Sequence, residues 1–383
     1  MFDATQFSWA GAATSVQGGY HFEKNQVFFP FLPFVLHSLG ATFADTQMLY
    51  VNILYQLLIS YANTILLYTV GRDLFGKPFL AEVAANIHIF SFSMVYQMSF
   101  YSENTFLFFS LLGTLCIQRG SRSSKGKDWK VPRPMSVLAA AFCWGMSTLT
   151  RSTGIMHSIF IAYFMLNKML IVFKKGRYGK LVGYVALCLL TIVIMFMPLI
   201  VVVYWRPYVL HCQSRPDGPI PAWCNDTLPS LYKYIQFWYW DNRFLSFLYR
   251  NTEHIIVSLP TNAFLFYSLY RMLREQKVNL LSLSLLDEKI PEESKWRSIF
   301  SQPEVVPHFY YFFAQLLIVL LYGNCDINSR VAGSLPLYYW AMASFLVEKK
   351  EGKMRWMGLI AAGHNVLYLV LNWLLFPIET AFF

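Results

Sequence analysis

Ten predominantly apolar stretches run through the chain at short intervals, near 49–71, 79–98, 103–119, 135–150, 153–173, 181–205, 255–273, 308–323, 332–347 and 356–377. About 17–25 such residues suffice for a helix to cross the hydrocarbon core of a bilayer; 135–150 and 332–347 are borderline in length. The composition agrees. Of 383 residues, 56% are hydrophobic and 14% charged, against roughly 45–50% and about 25% in a soluble domain. A water-soluble enzyme is excluded, and the expected fold class is all-α, a polytopic transmembrane helix bundle forming one membrane domain over 1–383. Aromatic residues make up 18% of the chain, as suits membrane interfaces. The net charge of +10 is not gathered on one face with interleaved aromatics, so no nucleic-acid partner is expected. A further apolar run, 28–39, contains Pro30 and Pro33 and is too short to cross; it reads as an interfacial or re-entrant helix.

The segments between these stretches alternate in charge. Segments 72–78, 120–134, 174–180, 274–307 and 348–355 hold twenty Lys and Arg, whereas 1–48, 99–102, 151–152, 206–254, 324–331 and 378–383 hold eight over a larger total length. By the positive-inside rule the first set is cytoplasmic. The N-terminal segment 1–48 and the large loop 206–254 then face the lumen, and 274–307 is a solvated cytoplasmic loop. Residues 1–27 have neither a basic start nor an apolar stretch, so they do not read as a signal peptide. The sequon Asn225-Asp226-Thr227 falls in the lumenal loop, which makes Asn225 the candidate glycosylation site. Cys212 and Cys224 share that loop, where an oxidising compartment permits a disulfide, although two cysteines in one loop need not pair.

Ionisable residues beside a span are expensive and therefore functional candidates. Asp3 and Glu23 lie in the first lumenal segment, Glu103 opens a span, Arg151 sits between two spans, and Arg330 precedes another. All fall at one membrane face. A carboxylate can accept a proton from an attacking hydroxyl, and arginine can stabilise charge developing on phosphate oxygens. The pattern suits glycosyl transfer from a lipid phosphate, although Arg and Glu at span ends also simply mark the interface or pair with each other. His88 and His157 show no metal-ligand spacing and read as satisfied interior histidines, and Glu82 reads as a snorkelling residue. Pro198, Pro260, Pro336 and Pro377 are expected to mark kinks or helix ends. There is no Walker A motif, Gly-rich nucleotide fingerprint or H-E-x-x-H sequence, so ATP-driven transport and zinc proteolysis lose support; no metal ligand is assigned and no cofactor is named.

Phe2-Asp3-Ala4, the stretch Gly19 to Pro30, Tyr101-Ser102-Glu103, Arg151-Ser152-Thr153-Gly154, Pro221-Ala222-Trp223-Cys224, Tyr234-Ile235-Gln236 and Ser329 to Ser334, in this order, resemble the motifs of the PIG-V family of GPI mannosyltransferases. Phe2-Asp3-Ala4 is similar to that family's Trp-Asp-Ala, and the stretch from Gly19 through Tyr20, Glu23, Phe28 and Phe29 to Pro30 to its Gly-Tyr…Tyr-Glu-x-x-x-Ala-Phe-Phe-Pro segment. Tyr101-Ser102-Glu103 matches Tyr-Ser-Glu, and Arg151-Ser152-Thr153-Gly154 resembles Arg-Ser-Asn-Gly. Pro221-Ala222-Trp223-Cys224 resembles Pro-Pro-Trp-Cys, Tyr234-Ile235-Gln236 with Tyr239-Trp240 a Tyr-Ile-Gln…Tyr-Trp stretch, and Ser329-Arg330-Val331-Ala332-Gly333-Ser334 with Tyr339-Trp340 a Thr-Arg-Phe-x-Gly-Ser…Tyr-Trp stretch.

The resemblance implies a GT-C fold in the endoplasmic reticulum membrane. It implies transfer of the second mannose of the GPI core, in α-1,6 linkage, from dolichyl phosphate mannose to the GPI precursor, by a single inverting displacement. It maps the catalytic base onto Asp3. Arg151 and Arg330 become candidates for the dolichyl phosphate leaving group, and Glu23 and Glu103 candidates for orienting sugar hydroxyls or holding those arginines. Three features depart from the family pattern. With Met1 directly before Phe2, the chain is expected to lack the family's span before the Asp motif; Phe2 replaces Trp; and the spacing from Asp3 to Gly19 is long. Two other readings compete: a GT-C transferase acting on another lipid-linked acceptor, and a membrane transporter.

Overall fold

The computed structural model describes residues 31–40, 45–91, 102–121, 132–213, 220–238, 242–245, 252–276, 298–301, 305–322 and 331–347, with Trp356, Leu359 and Gly363. Among the described residues every regular element is helical. A helix satisfies its own backbone hydrogen bonds, which is what a span in hydrocarbon requires.

The first helix, α1 (Phe31–Gly40), coincides with the short run expected to lie at the interface and buries Leu32 and Leu36. It packs on α2 (Asp45–Phe75), which turns at Gly76 into α3 (Pro78–Ile89). Next come α4 (Glu103–Ser121), α5 (Pro134–Thr150), a 3-10 turn (Ser152–His157) and α6 (Ser158–Lys174). The seventh helix, α7, begins as Tyr178–Leu199 and continues through π segments Ile200–Trp205 and Val209–Gln213 as one 36-residue rod. A 3-10 turn (Ala222–Asn225) and a short helix, α8 (Leu231–Trp238), follow it. Further helices among the described residues are α9 (Thr252–Gln276), α10 (Val306–Tyr322) and α11 (Pro336–Val347).

Three helices among the described residues are long and apolar enough to cross a membrane: Tyr50–Phe75, Ser152–Lys174 and Tyr178–Gln213; α5 and α10 are shorter apolar helices. The chain is a membrane protein. Several expected boundaries move. The 79–98 stretch gives a 12-residue helix ending at Ile89, and 332–347 is interrupted at Ser334 and Leu335 before α11 starts on Pro336, a residue with no N–H to lose at a first helical position. Hydropathy registers how long a stretch is apolar, not where its backbone breaks. At Pro198 the helix neither ends nor stops: the missing N–H is followed two residues later by the wider π spacing, and the rod runs past its expected end at 205 to Gln213.

Packing centres on α4 and α5, which lie side by side; α2 flanks α4, α7 flanks α5, and α3 lies between α2 and α11. The close approach needs Gly113: a Cβ there would collide with the Trp144 indole, whose Nε1 donates to the Ser110 carbonyl at 3.3 Å. Between α2 and α4 the fastening is polar. Buried Asn63 donates to the Asn104 carbonyl (2.8 Å) and side-chain oxygen (2.5 Å), and Asn104 donates to the Gln56 carbonyl (2.8 Å) and side chain (3.2 Å). Such interhelical bonds are worth about 0.6–2 kcal/mol in membranes. They also fix the first turn of α4, and with it Glu103. His88 is satisfied within the bundle, its Nδ1 lying 3.1 Å from the Thr64 hydroxyl, and Glu82 is exposed.

Candidate active site

Helix α5 ends in a run of hydroxyls. Ser147 donates to the Trp144 carbonyl (2.7 Å), Thr148 to the same oxygen (2.9 Å) and Thr150 to the Ser147 carbonyl (2.6 Å). The last carbonyls of the helix are thus answered locally. Arg151 then breaks the helix, adopting an extended conformation (φ −155°, ψ 143°) while its N–H still bonds to Ser147 O at 3.0 Å.

The chain next folds back on the helix end. The Gly154 N–H donates to the Arg151 carbonyl at 3.0 Å, and Gly154 lies so close to the α5 backbone that an added Cβ would sit 2.5 Å from Thr148 N and 2.7 Å from Ser147 C. Only glycine fits there. Buried His157 closes the turn, its Nδ1 lying 2.8 Å from the Gly154 carbonyl and 3.3 Å from the Ser147 hydroxyl. A carbonyl can only accept, so the proton belongs on Nδ1. The ring is held between Trp144 (5.4 Å, 13°) and Tyr311 of α10 (4.6 Å, 29°).

The break at Arg151 carries its guanidinium to the start of α4, where Nη1 lies 3.0 Å from Glu103 Oε1. The Glu103 side chain is 4% exposed and that of Arg151 18%. The carboxylate also occupies the first turn of a helix, where the unpaired N–H groups favour negative charge. Phe106, one turn along, lies under the guanidinium at 5.9 Å. Two more elements reach the turn: Gln315 of α10 donates to the Thr153 carbonyl (3.2 Å), and the Tyr232 hydroxyl of α8 lies 2.8 Å from the Ser152 hydroxyl. Burial pushes the Tyr232 phenol above its ordinary pKa, against the opposing pull of the Ser152 hydrogen bond and the Arg151 charge. It is neutral at pH 7.

A cavity of about 10 Å³, bordered by Ser110, Thr114, His157, His308 and Tyr311, lies behind this corner. It has room for roughly one water molecule. No hexose fits in it.

Of the residues singled out from sequence, Glu103 and Arg151 are brought into direct contact, whereas Asp3, Glu23 and Arg330 lie outside the described residues. Cys212 and Cys224 form a disulfide with Cα atoms 5.8 Å apart, and Asn225 through Thr227 are exposed beside it. Asn104, His157, Tyr232, Tyr311 and Gln315 were not among the sequence-derived site residues. Asn104 and Tyr232 each lie within two positions of a family-like motif. Nothing in the spacing of Tyr311 or Gln315 points to the turn they contact.

A mannosyltransferase (PIG-V) family model matches residues 2–382. The chain belongs to this family. Membership makes it a glycosyltransferase and displaces the transporter reading. It is similar to GPI mannosyltransferase 2 of Schizosaccharomyces pombe, 24% identical over 373 residues that cover 95% of this chain and 68% of that protein. It is also similar to GPI mannosyltransferase 2 of Saccharomyces cerevisiae, 24% identical with 97% of this chain and 82% of the relative covered. The GPI alpha-1,6-mannosyltransferase 2 of Cricetulus griseus is likewise 24% identical, with 88% and 72% covered. No solved structure matches the chain. Within the family match, the Arg151–Glu103 pair joins two of the motifs that carry the family likeness.

Proposed function

We propose that this mannosyltransferase adds the second, α-1,6-linked mannose of the GPI core, taking it from dolichyl phosphate mannose at the lumenal face of the endoplasmic reticulum membrane. The observation that carries the reading is the Glu103–Arg151 pair: a buried carboxylate holding a partly exposed guanidinium at one end of a membrane bundle. The family match and the relatives' names support the acceptor and linkage. The positive-inside count supports the side of the membrane.

Arg151 neutralises charge on the departing dolichyl phosphate, where preorganised donors act most strongly, and Arg330 is assigned the same role. Asp3 takes the proton from the 6-hydroxyl of the acceptor mannose as that oxygen bonds to the anomeric carbon. The bond to the phosphate oxygen breaks with its electron pair leaving on dolichyl phosphate. One displacement converts a β-linked donor into an α-linked product. Glu103 fixes Arg151, and Glu23 orients sugar hydroxyls.

Microsomes lacking the gene product should accumulate the precursor with one mannose, and adding back the wild-type chain should restore the second, whereas Asp3→Ala should not. Full restoration by Asp3→Ala removes the base assignment. If mass spectrometry instead finds a dolichol-linked oligosaccharide accumulating, the acceptor is a different lipid.

A further inference from the structure

Beyond the residues that meet substrate, we infer that Tyr232 is a positioning residue for Arg151, and that the Cys212–Cys224 disulfide keeps it in place. On this view two described pieces, residues 209–213 and 220–238, act together as a clasped cap on the Arg151 turn. The inference rests on the assignment of Arg151 to the leaving phosphate.

The cap is assembled from short pieces that cannot hold their shape alone. The π end of α7 carries buried His211 to Trp223, ring centroids 6.2 Å apart, and Cys212 to Cys224. Trp223, 1% exposed, forms a small core with Leu231 and Ile235 of α8, flanked by both half-cystines and by Tyr232 and Tyr234. Ser230 caps α8, its hydroxyl accepting from Lys233 N at 3.2 Å. Leu231 and Ile235 sit four residues apart on one helical face, and Tyr232 is the next position round. With that face fastened to Trp223, the Tyr232 hydroxyl reaches Ser152 at 2.8 Å. Ser152 follows Arg151 directly and opens the turn that sets its direction.

An eight-residue helix is too short to persist unaided, so its register depends on what it packs against: the Trp223 cluster, tied to α7 by the disulfide, and the Ile200–Trp205 stretch of α7. The hydrogen bond spans 80 residues of sequence and joins this cap to the end of α5. Opening the disulfide releases α8, Ser152 loses its partner, and the guanidinium is less well aimed at the phosphate. Misaim shows in turnover more than in donor binding, because the phosphate gains charge as the bond breaks.

The test uses the full chain in microsomes or detergent, with the donor and the single-mannose precursor. Tyr232→Phe, which removes one hydroxyl and no ring, should lower kcat roughly threefold to tenfold with donor KM changed less than about twofold. Ser152→Ala should do the same and Ser152→Thr should restore most of the rate. Mild reduction, or Cys212→Ser with Cys224→Ser, should lower kcat similarly, and adding Tyr232→Phe should then cost nothing more, since coupled changes do not add. Wild-type rates from Tyr232→Phe and Ser152→Ala, or multiplying losses from disulfide and tyrosine, overturn the inference. A wild-type chain that uses a different acceptor overturns the acceptor assignment instead and leaves the comparison intact. Hydrogen exchange gives a readout independent of activity: the Gly154 amide should exchange faster in Tyr232→Phe and after reduction, and unchanged protection overturns the coupling.

Discussion

The membrane-embedded part of α7 and the Arg151 corner solve opposite problems. Along α7 only 11% of the most apolar window is buried inside the protein, and Val182, Leu189, Leu190, Val193 and Met197 face outward. The helix meets its own hydrogen bonds, and its exposed side chains are at home among lipid tails. The corner gathers α4, the end of α5, α8 and α10 around one turn, through an ion pair, stacked rings and several hydrogen bonds. A lipid-facing helix needs only hydrophobicity, and many sequences supply it. A charged corner in the same membrane protein needs each partner at its own place.

The comparison breaks first at Arg151. Arg151→Met leaves the Glu103 carboxylate, 4% exposed, without the guanidinium, and removing one member of a buried pair costs about 3–5 kcal/mol. Thermal unfolding should show the drop, and transfer activity should fall at least about a hundredfold, the size of losing one strong charge-stabilising donor. Adding Glu103→Gln to Arg151→Met should recover much of the stability and none of the activity. A double variant as unstable as Arg151→Met would show that the pair is not the cause.

Glycine exchanges sharpen the contrast. Gly154→Ala drives a Cβ into the backbone of Ser147 and Thr148, whereas Gly183 on α7 has nothing within 4 Å of where its Cβ would lie. Overpacking of this kind costs about 1–3 kcal/mol, so Gly154→Ala should lower the melting temperature and the rate together. Gly183→Ala, which favours the helix, should change neither downward. Equal effects of the two would contradict the packing described for the turn.

The smallest effect belongs to the lipid face. Leu189 is 60% exposed, and Leu189→Ala should alter stability by less than about 0.5 kcal/mol with no change in rate. A larger loss, measured in the same unfolding assay, would mean that this face is covered.

Which parts were legible in the sequence follows the same division. Helices α4, α5 and α10 fall within two residues of the stretches read from hydropathy alone, because a continuous apolar run is a local property. Glu103 and Arg151 were legible as charges beside spans, and their motifs carried the family likeness. Their contact was not, since 48 residues separate them and the helix break at Arg151 decides where the guanidinium goes. His157 read as a satisfied interior histidine, which is true of its hydrogen bonds and omits what it holds: the carbonyl of Gly154. Tyr311 and Gln315 sit four apart within a run of apolar residues. One polar group in such a run is meaningful only once the opposing carbonyl is known.

The length of α7 has a bearing on where the protein can work. Thirty-six residues, some of them in the shorter-rising π segments, correspond to at most about 54 Å of helix, while the hydrocarbon of an ordinary bilayer is about 30 Å thick. The surplus stands the disulfide-bearing end of α7 above the acyl chains like a mast.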